Sequence, residues 1–132
     1  MKKIFLALIV MLAMQSCSEK ISQLAIENTN WVLTEWPGKT LPTAAKATLN
    51  FGSESKIGGK SFCNSYGGNY SLTDGTIKFD QLFSTKMFCT EFSGAENTFQ
   101  VDLTSATAAK VSGNKLRLLK DGQLIMVFTK SE

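Results

Sequence analysis

The chain has 132 residues, enough for one domain and not two. It carries 14 basic and 11 acidic side chains, three cysteines and no histidine. The missing histidine excludes Ser-His-Asp and Cys-His catalysis and the usual zinc sites. One arginine among scattered lysines gives no nucleic-acid footprint.

Met1-Lys2-Lys3 is a positively charged start, and Ile4 to Met14 is an unbroken apolar run. That run is shorter than the roughly 20 residues a membrane-spanning helix needs, so it reads as a secretory signal. It ends in Met14-Gln15-Ser16-Cys17, where a small residue precedes a cysteine as in a bacterial lipobox. On this reading residues 1–16 are cleaved as a lipoprotein signal peptide and Cys17 is lipidated. The other reading is an ordinary signal peptide with an incidental cysteine. Lipidation would make the membrane the first partner, through acyl chains that contribute about 0.8 kcal/mol per buried CH2. Ser18 after the cysteine, rather than Asp, favours the outer membrane of the cell envelope. Without Lys2 and Lys3 the remainder has 12 basic and 11 acidic side chains, so the basic balance belongs partly to the leader.

Cys63 and Cys89 are then left as a pair, and outside the cytoplasm a disulfide is the default for such a pair. A loop of that length corresponds to roughly 3.5 kcal/mol of chain entropy. Two buried thiols packed as small hydrophobes are the alternative.

Residues 17–29 read as the lipidated cysteine and a polar tether, with Leu24 and Ile26 able to touch the fold in a short helical turn. The domain proper is expected over 30–132. Trp31 to Trp36 is the first strand, with Trp31, Leu33 and Glu35 on one face, and Pro37-Gly38 stops it. Ala47 to Phe51 alternates as a second strand. Lys56 to Cys63 is a third, and its Gly58-Gly59 pair marks a bulge, a bend or a close backbone approach. Asn64 to Gly68 has turn composition. Asn69 to Thr73 and Thr76 to Phe79 form a hairpin around Asp74-Gly75. Gln81 to Cys89 is extended or looping and offers Leu82, Phe83, Met87 and Phe88 to the core.

Glu91 to Ala109 is the one helical stretch, because Phe92, Ala95, Phe99, Leu103 and Ala106 or Thr107 recur with a period of about 3.6 residues. Ser93 with Glu96 makes a capping box, or Thr90 caps and Glu91 enters the first turn. A meander closes the chain, with turns at Ser112-Gly113-Asn114 and Asp121-Gly122. Leu124 to Phe128 is the most apolar strand and is expected to be central or sealed. The count is about eight short strands and one helix, a mainly β (α+β) chain. A small antiparallel β-barrel or strongly curved sheet with the helix against one opening follows.

These residues resemble the META domain, the HslJ-like small lipoproteins of bacterial envelopes. Trp31-Val32-Leu33 resembles the family's opening W-x-L strand. Cys63-Asn64 with Tyr66, Gly68 and Tyr70 resembles its central motif, and Thr85-Lys86-Met87-Phe88-Cys89 its T-[RK]-M-x-C motif. Glu96 and Phe99 fit the helix, Gly113, Leu116 and Leu118 the strand that follows, and Phe128 the last strand. Phe62 stands where the family commonly has glycine, which would move the bend earlier, to Gly58-Gly59. The resemblance implies a compact β-rich domain without established enzyme chemistry and without an agreed ligand. It is associated with heat-shock or envelope stress, antibiotic tolerance and, in some members, motility or secretion.

Sequence evidence for chemistry is thin. Cys63 and Cys89 do not form a C-x-x-C redox pair. Asp74, Asp80, Glu91, Glu96 and Asp102 are candidate acid–base carboxylates, but turn formation, helix capping or bonding to a strand end accounts for them. Gly59-Lys60-Ser61 lacks the upstream glycine of a phosphate loop. No cofactor and no metal is implied. Asn64, Ser65, Tyr66 and Tyr70 with Trp36 are the candidate binding surface, for a protein or small-molecule partner not identified by the sequence. The plainer reading has the tyrosines packing a barrel mouth and Asn64 satisfying turn backbone. The expectation is a non-enzymatic envelope lipoprotein; the alternative is a binding or inhibitor module presenting the Asn64–Tyr70 turn.

Overall fold

The computed structural model describes residues 23–131. The expected signal peptide, Cys17 as the expected lipidation site and the start of the expected tether lie outside the described residues. A single helical turn, α1 (Gln23–Ile26), leads into β1 (Thr29–Glu35). Next come β2 (Thr48–Phe51), β3 (Lys56–Ser61), β4 (Asn64–Thr73) and β5 (Thr76–Ser84). Helix α2 (Ser93–Ser105) separates them from β6 (Ala108–Ser112), β7 (Lys115–Lys120) and β8 (Gln123–Lys130). The eight strands close into an antiparallel barrel in chain order. Closure comes from β8 pairing with β1, Leu33 opposite Phe128. The apolar β8 is therefore sealed on both edges, by β7 and β1.

Alternation fills the interior. Trp31, Leu49, Phe51, Leu116, Leu118, Met126 and Phe128 are fully buried, and Ile26 joins them from α1. Asp74-Gly75 and Asp121-Gly122 both take positive φ, as two-residue hairpins require. The register shifts between Leu33 and Glu35, so Glu35 stays exposed and Trp36 turns inward instead.

The barrel is thinnest between β5 and β6, where only Thr76 and Ala108 pair. There α2 carries the chain across and packs along β5. Its expected stripe is the buried face. Phe99 and Leu103 are fully enclosed, and the Phe99 ring meets Phe62, Tyr66 and Phe128 edge-on at centroid distances of 6.0, 5.6 and 6.4 Å. The helix is shorter than its periodic stretch: Phe92 is the N-cap and no side chain caps it. The capping box does not form, because Glu96 turns toward β3 and β4.

Asn64 to Gly68 is strand, not turn. The turn lies one step earlier, at Phe62-Cys63, with Ser61 opposite Asn64. Phe62 has φ +71°, at the first central position of a two-residue hairpin, where glycine is usual. The bend therefore stays at the place where the family pattern has glycine. Packing holds the strained residue: the Phe62 ring stacks between Trp36 and Phe92, 6.0 and 6.4 Å away. Gly59 marks a close approach, since a Cβ there would sit 2.3 Å from the Thr48 carbonyl oxygen.

Candidate functional site

The polar centre of the molecule is Asn64, which is only 6% exposed. Its side chain continues the β4–β5 ladder beyond the end of β4. Oδ1 accepts the Met87 N–H at 2.8 Å, and Nδ2 donates to the Met87 carbonyl at 3.2 Å. Oδ1 also accepts the Thr85 hydroxyl at 2.9 Å, and Nδ2 also donates to Glu96 Oε2 at 2.9 Å. The amide thus uses both donors and both lone pairs. No other side chain of its size offers that combination.

Glu96 reaches the same point from α2. Its Oε1 accepts the Asn64 backbone N–H at 2.6 Å and the Ser61 hydroxyl at 3.0 Å. Thr85 completes the join: its hydroxyl accepts the Ser65 N–H at 3.2 Å and its N–H bonds the Ser65 carbonyl at 2.9 Å. The Cys63–Cys89 disulfide, with Cα atoms 6.3 Å apart, ties the same two segments covalently. The β3–β4 turn, the chain after β5 and the helix are therefore fastened at one place.

Beside this latch lies an open cleft of about 260 Å³. It is lined by Ser84, Lys86, Met87 and Phe88 from the end of β5 and the chain after it, by Asn97 and Gln100 of α2, and by Asn64 and Glu96 of the latch. Phe83, Met87 and Phe88, expected in the core, are instead 71%, 58% and 88% exposed. The cause is local. Gln81 has φ +53°, and β5 slips its register against β4 between Gly67 and Asn69. Phe79 points inward before the bulge; Leu82 packs on the core after it, and Phe83 points out.

The candidate binding residues are gathered inside the molecule and not on its surface. Tyr66 is buried and donates to the Thr48 carbonyl at 2.6 Å. Burial pushes its phenol well above the usual tyrosine range. Tyr70 is buried edge-on against Phe51, 4.9 Å between centroids. Trp36 is buried and donates through Nε1 to Asp102 Oδ2 at 2.9 Å; Lys39 pairs with the same carboxylate and lies 5.7 Å over the indole. The reading of Asn64, Tyr66, Tyr70 and Trp36 as a presented surface is corrected, because strand alternation and the latch turn them inward. The exposed groups nearby are Lys86, Met87 and Phe88, with Ser84 half-buried beside them, and the sequence reading did not gather these four as a site. Their signal was the break in alternation after Phe79. Among the described residues no three His, Cys, Asp or Glu side chains converge to hold a metal ion.

No curated protein matches the chain. A protein from Burkholderia xenovorans, solved by NMR, is similar at 28% identity over 82% of this chain and 85% of its own, with a TM-score of 0.69. A second protein solved by NMR shares the fold at 21% identity over 83% of this chain and 94% of its own, with a TM-score of 0.66. The META domain matches residues 22–132, nearly all of the chain, including the strands, the latch and the helix that fastens them. The chain belongs to the META domain family.

Proposed function

We propose that the protein is a non-enzymatic lipoprotein of the cell envelope, anchored in the outer membrane through Cys17, whose META domain serves envelope maintenance, stress response or antibiotic tolerance. The carrying observation is the cysteine arrangement. Of three cysteines, Cys63 and Cys89 are joined, and the remaining one directly follows the apolar leader. A disulfide in a small bacterial domain favours an oxidising compartment. The non-enzymatic part draws on Glu96, the carboxylate at the cleft: both its oxygens already accept hydrogen bonds from Ser61 and Asn64. A general acid or base needs such a group free to exchange a proton with substrate.

Fractionation of cells expressing the parent chain and Cys17→Ser tests the reading. The parent is expected in the outer-membrane fraction, and the variant uncleaved or released from it. Recovery of the parent in the cytosol with a free Cys17 thiol would overturn it.

A further inference from the structure

We propose that the cleft between the end of β5 and α2 receives an extended polypeptide segment, which pairs main chain to main chain with residues 84–86 and carries an acidic and an apolar side chain. The argument starts from hydrogen-bond direction. The Thr85 N–H bonds Ser65 and the Met87 N–H bonds the Asn64 side chain. Bonds at alternate residues on one edge are the pattern of a strand, in which the intervening amides point to the opposite edge. Ser84 and Lys86 therefore turn their backbone N–H and C=O groups away from β4, toward the cleft. Both line it. Farther down, α2 packs along β5, so the open edge is confined to this short stretch.

The surroundings define the occupant. Across the cleft, Asn97 and Gln100 supply amide donors and acceptors suited to the far edge of an added strand. Met87 and Phe88 are exposed beside it and offer apolar cover for one side chain. Lys86 calls for an acidic one. The same lysine argues against a second copy, because antiparallel pairing of two such edges about Lys86 would set like charges opposite each other. Position argues against the anchoring membrane. The chain enters the barrel beside Phe51, at one end of β2, whereas Ser61 and the latch lie beside Ala47, at the other end. The cleft thus faces away from the tether. Strand addition of this kind takes affinity from the main chain and selectivity from flanking side chains. The inference does not depend on lipidation of Cys17.

The test uses the full chain in detergent micelles and a fluorescein-labelled heptapeptide that alternates valine and glutamate around a central phenylalanine. Two further peptides are N-methylated at alternate amides, one set for each edge. The parent chain should bind the unmodified peptide saturably. One methylated set should weaken binding at least about tenfold while the other leaves it unchanged, since only one edge meets the protein. Ser84→Pro removes an N–H that points away from β4, so it should weaken binding about tenfold while keeping the melting temperature. Should that variant fold poorly, Lys86→Glu decides: it should lose the glutamate peptide and accept a lysine analogue. Absence of saturable binding to either peptide, equal effects of the two methylated sets, or no charge swap at Lys86→Glu would each overturn the proposal. So would self-association that blocks the cleft, or vesicle binding that Phe88→Ser abolishes.

Discussion

Glu96 on α2 and Asn64 at the head of β4 are joined twice, carboxylate to backbone N–H at 2.6 Å and carboxylate to side-chain amide at 2.9 Å. The join lies where the barrel most needs one. Strands β5 and β6 share a single pair, and the helix that fills the gap has no side-chain cap of its own. Charge-assisted hydrogen bonds instead fasten this helix to the buried β3–β4 turn.

Removing either partner should be costly. Glu96→Ala leaves the Asn64 backbone N–H and one Asn64 side-chain N–H without acceptors in a buried site, and leaves the Ser61 hydroxyl only the Asn64 carbonyl at 3.3 Å, a loss of about 2–4 kcal/mol. Asn64→Asp keeps the shape but brings a second carboxylate against the first and deletes both donors; about 3–5 kcal/mol is expected. Urea denaturation of the two variants measures both. Effects below about 1 kcal/mol would mean that the latch is solvated and contributes little.

Phe62 predicts an inversion. Glycine in a strand or helix is ordinarily worse than alanine by about 0.5–1 kcal/mol. At φ +71° the order should reverse, with Phe62→Gly more stable than Phe62→Ala. Both should fall below the parent, because stacking between Trp36 and Phe92 is lost in each. Thermal melts of the pair read the order directly.

Gly59 and Gly67 give a contrast of a different kind. A Cβ on Gly59 meets the Thr48 carbonyl, which is backbone and cannot step aside. A Cβ on Gly67 meets the Phe83 ring at 2.7 Å, but that ring is exposed and free to swing away. Gly59→Ala should cost about 2–3 kcal/mol and Gly67→Ala under about 1. Equal losses would contradict the close packing of β2 on β3.

Tyr66 makes stability pH-dependent at the alkaline end. Burial raises its folded-state pKa above the unfolded value of about 10. Below that value the phenol is protonated in both states and contributes no slope. Above it only the unfolded chain ionises, so this group makes stability fall by about 1.4 kcal/mol per pH unit. Tyr66→Phe should remove that part of the slope between pH values of about 10 and 12, at the expense of the bond to Thr48. An unchanged alkaline slope in the variant would contradict it.

Much of the fold was legible because its causes are local. The Asp-Gly hairpins, the alternation around Leu49 and Phe51, and the stripe through Phe99 and Leu103 follow from turn chemistry and period. The Cys63–Cys89 pairing followed from cysteine count and the expected compartment. The misread parts have causes distant in sequence. Asn64 to Gly68 has turn composition, yet Gly67 and Gly68 are there because Phe83 and Leu82 lie over them from β5. Phe83, Met87 and Phe88 are apolar, and nothing short of the Gln81 bulge says they point outward. Asn64 was read as a turn former, whereas its partner Met87 stands 23 residues away.

The intact mass and free-thiol count of the protein, purified from the envelope without reductant, test the central claim most directly. The account predicts a chain that begins at Cys17, carries the added mass of its acyl groups, and yields no free thiol when denatured. A chain that retains Met1, with all three cysteines titrating as free thiols, would contradict both the anchor and the covalent half of the latch.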